Sequence, residues 1–476
     1  MNKLDRRKFY IDGDWVDPIE PSNYEVRNPA TEESIGTISL GTYDDISLAV
    51  QAAKQAFASW SLTSKDTRTE LLRNILTVYK KRYDEMAEII SLEVGAPIDM
   101  SRKSQAACGI GHLEGFLAAL ANLETRWQLG NGDTLIREPI GVCGLITPWN
   151  WPVNQMALKV LPALAVGCTC VLKPSEMTPF SALLYAEILH EAGVPRGVFN
   201  LVNGEGPVAG ASLSRHPDVD MVSFTGSTRA GREVTRDAAE TVKKVTLELG
   251  GKSPNILFAD ADLEKAVKRG VYGCFYNSGQ SCSAPTRMLV ERTIYEQVLD
   301  VAKIAGDRQT VGKPAEEGRH IGPVISMLQF DRIQDLINSG ISEGAKLLVG
   351  GPGKPDGFDR GYYVRPTIFY DANNSMRIAR EEIFGPVLTI IPFDDEDDAV
   401  RIANDTPYGL AAYVETTDDE RAQRVAGKLR AGQVYINGSE CKYDSPFGGY
   451  KMSGNGREGG LFGLEDFLEI KAVSRP

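Results

Sequence analysis

The chain of 476 residues is 42% apolar and 24% charged, which excludes a disordered or fibrous polypeptide and is more than one ordinary core can accommodate. Its 64 acidic against 52 basic residues give a net charge of −12 with no Lys/Arg-rich block, arguing against nucleic acid or an anionic membrane surface as partner. Seven scattered cysteines, no apolar segment after the basic amino terminus and no run of about 18 apolar residues give the expectation of a reduced, cytoplasmic protein that does not enter a membrane.

In chain order, residues 44–60 and 67–96 are strongly amphipathic and read as helices. Segments 141–148, 168–174, 197–202, 221–226 and 244–249 read as buried strands. Helix-like stretches lie between them, among them 153–166 and 179–193, the latter with Pro at its start and Gly at its stop. This βαβ series predicts a parallel, doubly wound sheet with ligands at the carboxyl ends of its strands. From residue 263 a second alternating region runs through 292–306, 379–387 and 431–437, predicting a second α/β lobe. The Gly/Pro-rich stretch 350–364 reads as a surface loop. Cys168 and Cys170 form a C-x-C pair, but with no His or further Cys pair nearby they read as buried structural thiols, and no metal centre is expected.

The stretch "YNSGQSCSAPTR" (276–287) sets Cys282 in what reads as a flexible, polar loop, where backbone N–H groups can meet an oxyanion. None of the four histidines, at 112, 190, 216 and 320, has a catalytic setting, which disfavours a protease-like Cys/His pair. Glu248 ends a predicted strand before two glycines, and Asn150 stands between two tryptophans just beyond another strand. Taken singly, a strand-end ion pair for Glu248 and a turn or helix cap for Asn150 are the preferred readings.

Together these stretches resemble the aldehyde dehydrogenase family over nearly the whole chain. "ITPWNWP" (146–152), "KPSE" (173–176), "FTGS" (224–227), "LELGGKSPN" (247–255), "GQSC" (279–282), "EEIFGPV" (381–387) and "PFGGYKMSGNGRE" (446–458) occur in the family's order. The resemblance implies a Rossmann-like doubly wound cofactor domain (1–120 and 140–249), an α/β catalytic domain (250–460) and a small β oligomerisation element (121–139 and 461–476). It implies Cys282 as nucleophile, Glu248 as general base and Asn150 as oxyanion donor. For the cofactor it implies Ile146, Trp149 and Leu249 beside the dinucleotide and Lys173 with Glu176 at the adenosine ribose. Gly206 and Gly210 would allow a close helix approach, Ser227 would meet the pyrophosphate, and Glu382 with Phe384 the nicotinamide ribose. The expected cofactor is NAD, because Glu176 would repel the 2′-phosphate of NADP, although Lys173 could offset that repulsion and leave NADP usable.

The implied substrate is a small aldehyde, entering a mostly apolar funnel formed by Trp151, Met156, Tyr276, Ser281, Ser283 and Phe447. Glu440 and Asp444 could greet a cationic aldehyde, and no arginine in 151–159 supports a carboxylate-bearing one. Ser281 and Ser283 flank Cys282 where many relatives carry Cys or Thr, so substrate preferences do not transfer. The presence of Glu248 favours hydrolysis over a coenzyme-A-acylating reaction. Retention of Cys282 and Asn150 disfavours a non-catalytic structural protein on the same fold. The family likeness also implies self-association to a dimer or tetramer through 121–139 and 465–476.

Overall fold

The computed structural model describes residues 4–475; residues 1–3 and 476, at the ends of two predicted segments, lie outside the described residues. The five expected strands form as Val142–Ile146, Thr169–Lys173, Phe199–Leu201, Met221–Thr225 and Lys244–Glu248. The second, first and fourth are buried on both faces, as a parallel sheet covered by helices on both sides requires. All neighbouring pairs among the five are parallel, in the spatial order fifth, fourth, first, second, third. The strand order reverses at Val142–Ile146, so a crevice opens beyond the ends of Val142–Ile146 and Met221–Thr225. Thr147–Asn150 and Gly226–Ser227 lie there.

The sheet extends past these five. Phe9–Ile11 pairs antiparallel with Phe199–Leu201, and Gly454–Asn455 pairs antiparallel with Lys244–Glu248. Sequence reading assigned residues 454 and 455 to the second lobe. The chain instead returns there to the first sheet, beside Glu248, a long-range pairing that local pattern does not encode.

The second lobe is a seven-stranded sheet, in the order Lys346–Val349, Thr367–Tyr370, Val387–Phe393, Arg287–Glu291, Pro254–Leu257, Ala411–Glu415, Gln433–Ile436. Residues 249–253 join the two sheets directly, so the carboxyl end of Lys244–Glu248 faces the beginnings of Pro254–Leu257 and Arg287–Glu291. The site lies in this cleft.

The region 121–139 forms a hairpin, Arg126–Gln128 with Thr134–Pro139, and Leu468–Val473 adds antiparallel to it. The 67–96 stretch resolves into helices Lys65–Lys81 and Tyr83–Val94, broken at Arg82 and stopped by left-handed Gly95. Cys168 and Cys170 are fully buried. Among the described residues no helix is long and apolar enough to cross a membrane.

Candidate active site

Cys282 is held more tightly than the sequence suggests. Where a flexible loop was expected, Tyr276–Gly279 is a tight turn in which Asn277 (φ 52), Ser278 (φ 57) and Gly279 (φ 73) lie in left-handed backbone. Such a conformation costs a non-glycine residue about 1–2 kcal/mol and persists only where its surroundings enforce it. Here they do. Asn277 Nδ2 donates to the Asn150 carbonyl at 3.0 Å, Ser278 Oγ donates to the Gly322 carbonyl at 2.8 Å, and Gln280 Oε1 accepts from the Ile325 N–H at 2.9 Å. At Gly279 a Cβ would stand 2.1 Å from the Gly385 backbone, so positive φ and lack of space both demand glycine.

Asn150 is buried, and its Nδ2 donates to the Gln280 carbonyl at 2.9 Å, two residues before Cys282. That bond uses one of two amide hydrogens and leaves the other free. The Asn150 carbonyl also accepts from Gln105 Nε2 at 3.0 Å, so two elements fix its position.

The glycine pair after Glu248 fits two close approaches. A Cβ on Gly250 would stand 2.3 Å from the Glu382 carboxylate, and one on Gly251 would stand 2.4 Å from the Cys282 carbonyl. The Gly251 N–H donates to Glu382 Oε1 at 2.9 Å. One tetrapeptide, Glu248 to Gly251, thereby touches the cysteine turn and anchors the second acid. Burial raises the Glu382 carboxyl, while the Gly251 N–H and the charges of Arg332 and Lys252 oppose the rise. Phe384, two residues on, has φ 56, a strained value for an aromatic residue, held by Gln329 Nε2 donating to its carbonyl at 2.9 Å. Its ring meets Trp149 edge-on at 5.4 Å.

Glu248 is 4% exposed and its Oε2 has no hydrogen-bond partner. Burial, and next the charge of Glu458, push its carboxyl well above the usual carboxylate range; Lys159 and Arg457 oppose this. Glu458 is itself buried and bonded to Lys159 Nζ at 2.5 Å, and Lys159 also donates to Ser223 Oγ at 3.0 Å. At Cys282, burial and then the charges of Glu248 and Glu382 raise the thiol. The thiol therefore keeps its proton unless a base takes it.

At the other end of the crevice, buried Lys173 contacts Glu176 at 3.5 Å. Burial lowers its ammonium, and the charges of Glu176 and Glu205 counter that. Ser227 caps helix Thr228–Ala239, its Oγ accepting from the Ala230 N–H at 3.3 Å. Gly206 faces open space, and a Cβ on Gly210 would meet Lys173 and Ile146 at 3.8 and 3.9 Å. Ile146 and Leu249 are buried under this end. A buried cation with spare N–H groups, acids at each end, a capped helix start and open glycine suit the charges, hydroxyls and phosphates of a dinucleotide.

Beside Cys282 a cavity of about 380 Å³ is lined by Trp151, Tyr276, Ser281, Ser283 and Glu440, among others. Met156 and Phe447 do not line it: Met156 is 1% exposed in the helical core, and Phe447 forms a half-buried bridge with Glu458. Asp444 is exposed.

Sequence reasoning passed over Gln105, Lys159, Asn277 and Glu458. Lys159 carries a signal: it is the lone charge in the apolar stretch "VNQMALKVLPALAV", and a buried charge requires a partner. Gln105 and Asn277 carry none, since their role depends on a contact between distant segments.

A crevice at a strand-order reversal, facing a rigid cysteine turn and a buried carboxylate, suits an oxidoreductase-type site with a thiol at hand. The family model described as "Aldehyde dehydrogenase family" matches residues 15–473, and the chain belongs to that family. It is 54% identical over 470 residues to 3-succinoylsemialdehyde-pyridine dehydrogenase of Pseudomonas sp., covering 98% of each chain. Among solved structures, an aldehyde dehydrogenase from Bartonella henselae has a TM-score of 0.97 at 53% identity, covering 99% of both chains. A cysteine-to-alanine variant of aldehyde dehydrogenase C from Pseudomonas syringae, solved with NAD+ and octanal, has a TM-score of 0.97 at 51% identity, covering 98% of this chain and 96% of that one.

Proposed function

We propose that the protein oxidises an aldehyde to a carboxylic acid with NAD as acceptor, through a thioester on Cys282. The observation that carries this reading is the Glu248–Gly251 segment, which sets a buried, unpartnered carboxylate oxygen beside the cysteine turn. Lys173 and Glu176 would hold the adenosine ribose, the helix start at Ser227 the pyrophosphate, and Glu382 the nicotinamide ribose, with Trp149 and Phe384 beside the ring. The NAD-bound relative supports this choice of cofactor.

The Cys282 proton passes to solvent, and the sulfur adds to the aldehyde carbon. The carbonyl electrons move to oxygen, where the unspent Asn150 amide hydrogen and the Cys282 N–H receive the charge. Preorganised donors of this kind are worth about 3–4 kcal/mol each. When bound, the oxidised nicotinamide supplies the acceptor for the hydride that leaves the adduct carbon. Glu248 then takes a proton from water, hydroxide attacks the thioester carbon, and the Cys282 thiolate leaves. The acid is released.

Cys282→Ala is expected to abolish formation of reduced cofactor from any aldehyde while NAD binding, followed by calorimetry, persists. Steady turnover in that variant would refute covalent catalysis. The hairpin 126–139 and strand Leu468–Val473, with Ile470 61% exposed, support self-association as a further part of the reading, checked by light scattering.

A further inference from the structure

The cavity beside Cys282 has an unusual wall. Trp151, Tyr272, Tyr276 and Tyr413 all line it. Trp151 and Tyr276 have ring centres 6.1 Å apart, and Tyr272 and Tyr276 5.3 Å apart. Three of the four rings have their polar tips tied elsewhere. Trp151 Nε1 donates to Ser281 Oγ at 2.9 Å, Tyr413 OH donates to the Ser283 carbonyl at 2.9 Å, and the Tyr276 hydroxyl bonds Ser104. The first two of these bonds grip the residues on either side of Cys282, so the aromatic wall and the nucleophile form one fixed unit.

We propose that this cavity seats a planar aromatic ring carried by the aldehyde substrate. The proposal rests on the reading of Cys282 as nucleophile. Rings pinned at their tips are rigid walls, and a rigid planar guest loses less freedom against them than an alkyl chain does. Offset and edge-to-face contacts add a gain that saturated carbon of the same size lacks. The volume exceeds what one ring needs and leaves room for an arm to the aldehyde.

The same rings could form a cage for a quaternary ammonium. Arg269 argues against that: it stands in the cavity wall bonded through Nε to Glu415 of the same wall at 3.1 Å, so the charge of that acid is already answered and holds nothing for a cation. Glu440, at the same rim, is exposed and hydrated, a setting in which an acid attracts little.

The test compares kcat/KM for 3-phenylpropanal, 3-cyclohexylpropanal and trimethylammonioacetaldehyde in wild type, Tyr276→Leu and Tyr272→Leu. The last variant alters a ring that is 38% exposed and leaves the core intact. The phenyl compound is expected to exceed the cyclohexyl one about tenfold, with that ratio shrinking in both variants. A wild-type ratio near one, a ratio untouched in both variants, or the cationic aldehyde as best substrate would overturn the proposal. Formation of reduced cofactor in those cases would leave the Cys282 chemistry standing, whereas none from any aldehyde would overturn both.

Discussion

Two carboxylates flank Cys282, Glu248 buried and Glu382 half-buried, and they differ in what their oxygens touch. Glu382 receives the Gly251 N–H at 2.9 Å and is closed in by Gly250, whereas Glu248 keeps Oε2 without a partner and feels Glu458 as a like charge. Burial raises both. An acid tied to a backbone donor is a positioned ligand, while one with an unspent lone pair and a raised proton affinity is a proton acceptor. In the proposed reaction the same residue type is thereby divided between holding and reacting.

Substitutions that remove each charge sharpen the contrast. Glu248→Gln is expected to lower kcat by roughly 10²- to 10⁴-fold, the usual worth of a general base, with cofactor affinity unchanged. Glu382→Gln is expected to weaken NAD binding about tenfold or more by calorimetry, as loss of a charged hydrogen-bond acceptor does, without moving the pH profile. If both variants lost affinity and rate alike, the division would fail.

At the adenosine end Glu176 offers a smaller effect. With the adenosine ribose seated there, its charge would oppose a 2′-phosphate by about 1–4 kcal/mol at intermediate dielectric, and Lys173 at 3.5 Å would partly offset it. Glu176→Ser is expected to narrow the preference for NAD chiefly by improving NADP use. A ratio of kcat/KM values unaltered by the substitution would remove Glu176 from that choice.

The smallest effect is a pH shift. Because the Glu248 carboxyl is raised, its active carboxylate form is lost as pH falls through a value above the usual carboxylate range, and hydrolysis should show an acid limb there. Glu458→Gln removes a like charge and frees the Lys159 cation, and both changes favour the ionised form of Glu248. The limb should move to lower pH. Lys159→Met should move it upward. A limb that stays in place in both variants would separate Glu248 from this network.

What the sequence revealed follows from the range of the interactions. The five strands of the first sheet are local in pattern, alternating apolar runs with helical stretches, and they emerge within a residue or two of expectation. Cys282, Glu248 and Asn150 stand out in the sequence because motif and family likeness mark them, and the fold brings their segments together. The Cys282 turn was misread as flexible because Gly, Ser and Asn suit both mobile loops and tightly bonded left-handed turns, and only contacts from Gly322, Ile325 and Asn150 decide between them. The return of Gly454–Asn455 to the first sheet and the Lys159–Glu458 pair join segments hundreds of residues apart, which periodicity does not report.

The division between the two acids is tested most directly by rapid mixing of Glu248→Gln with NAD and an aldehyde, following reduced cofactor by absorbance and the protein by intact mass. The expected result is a burst of up to one reduced cofactor per site, with an acyl group accumulating on Cys282 before slow turnover. Absence of both burst and acyl mass, with all phases slowed together, would contradict a Glu248 whose main work is hydrolysis of the thioester.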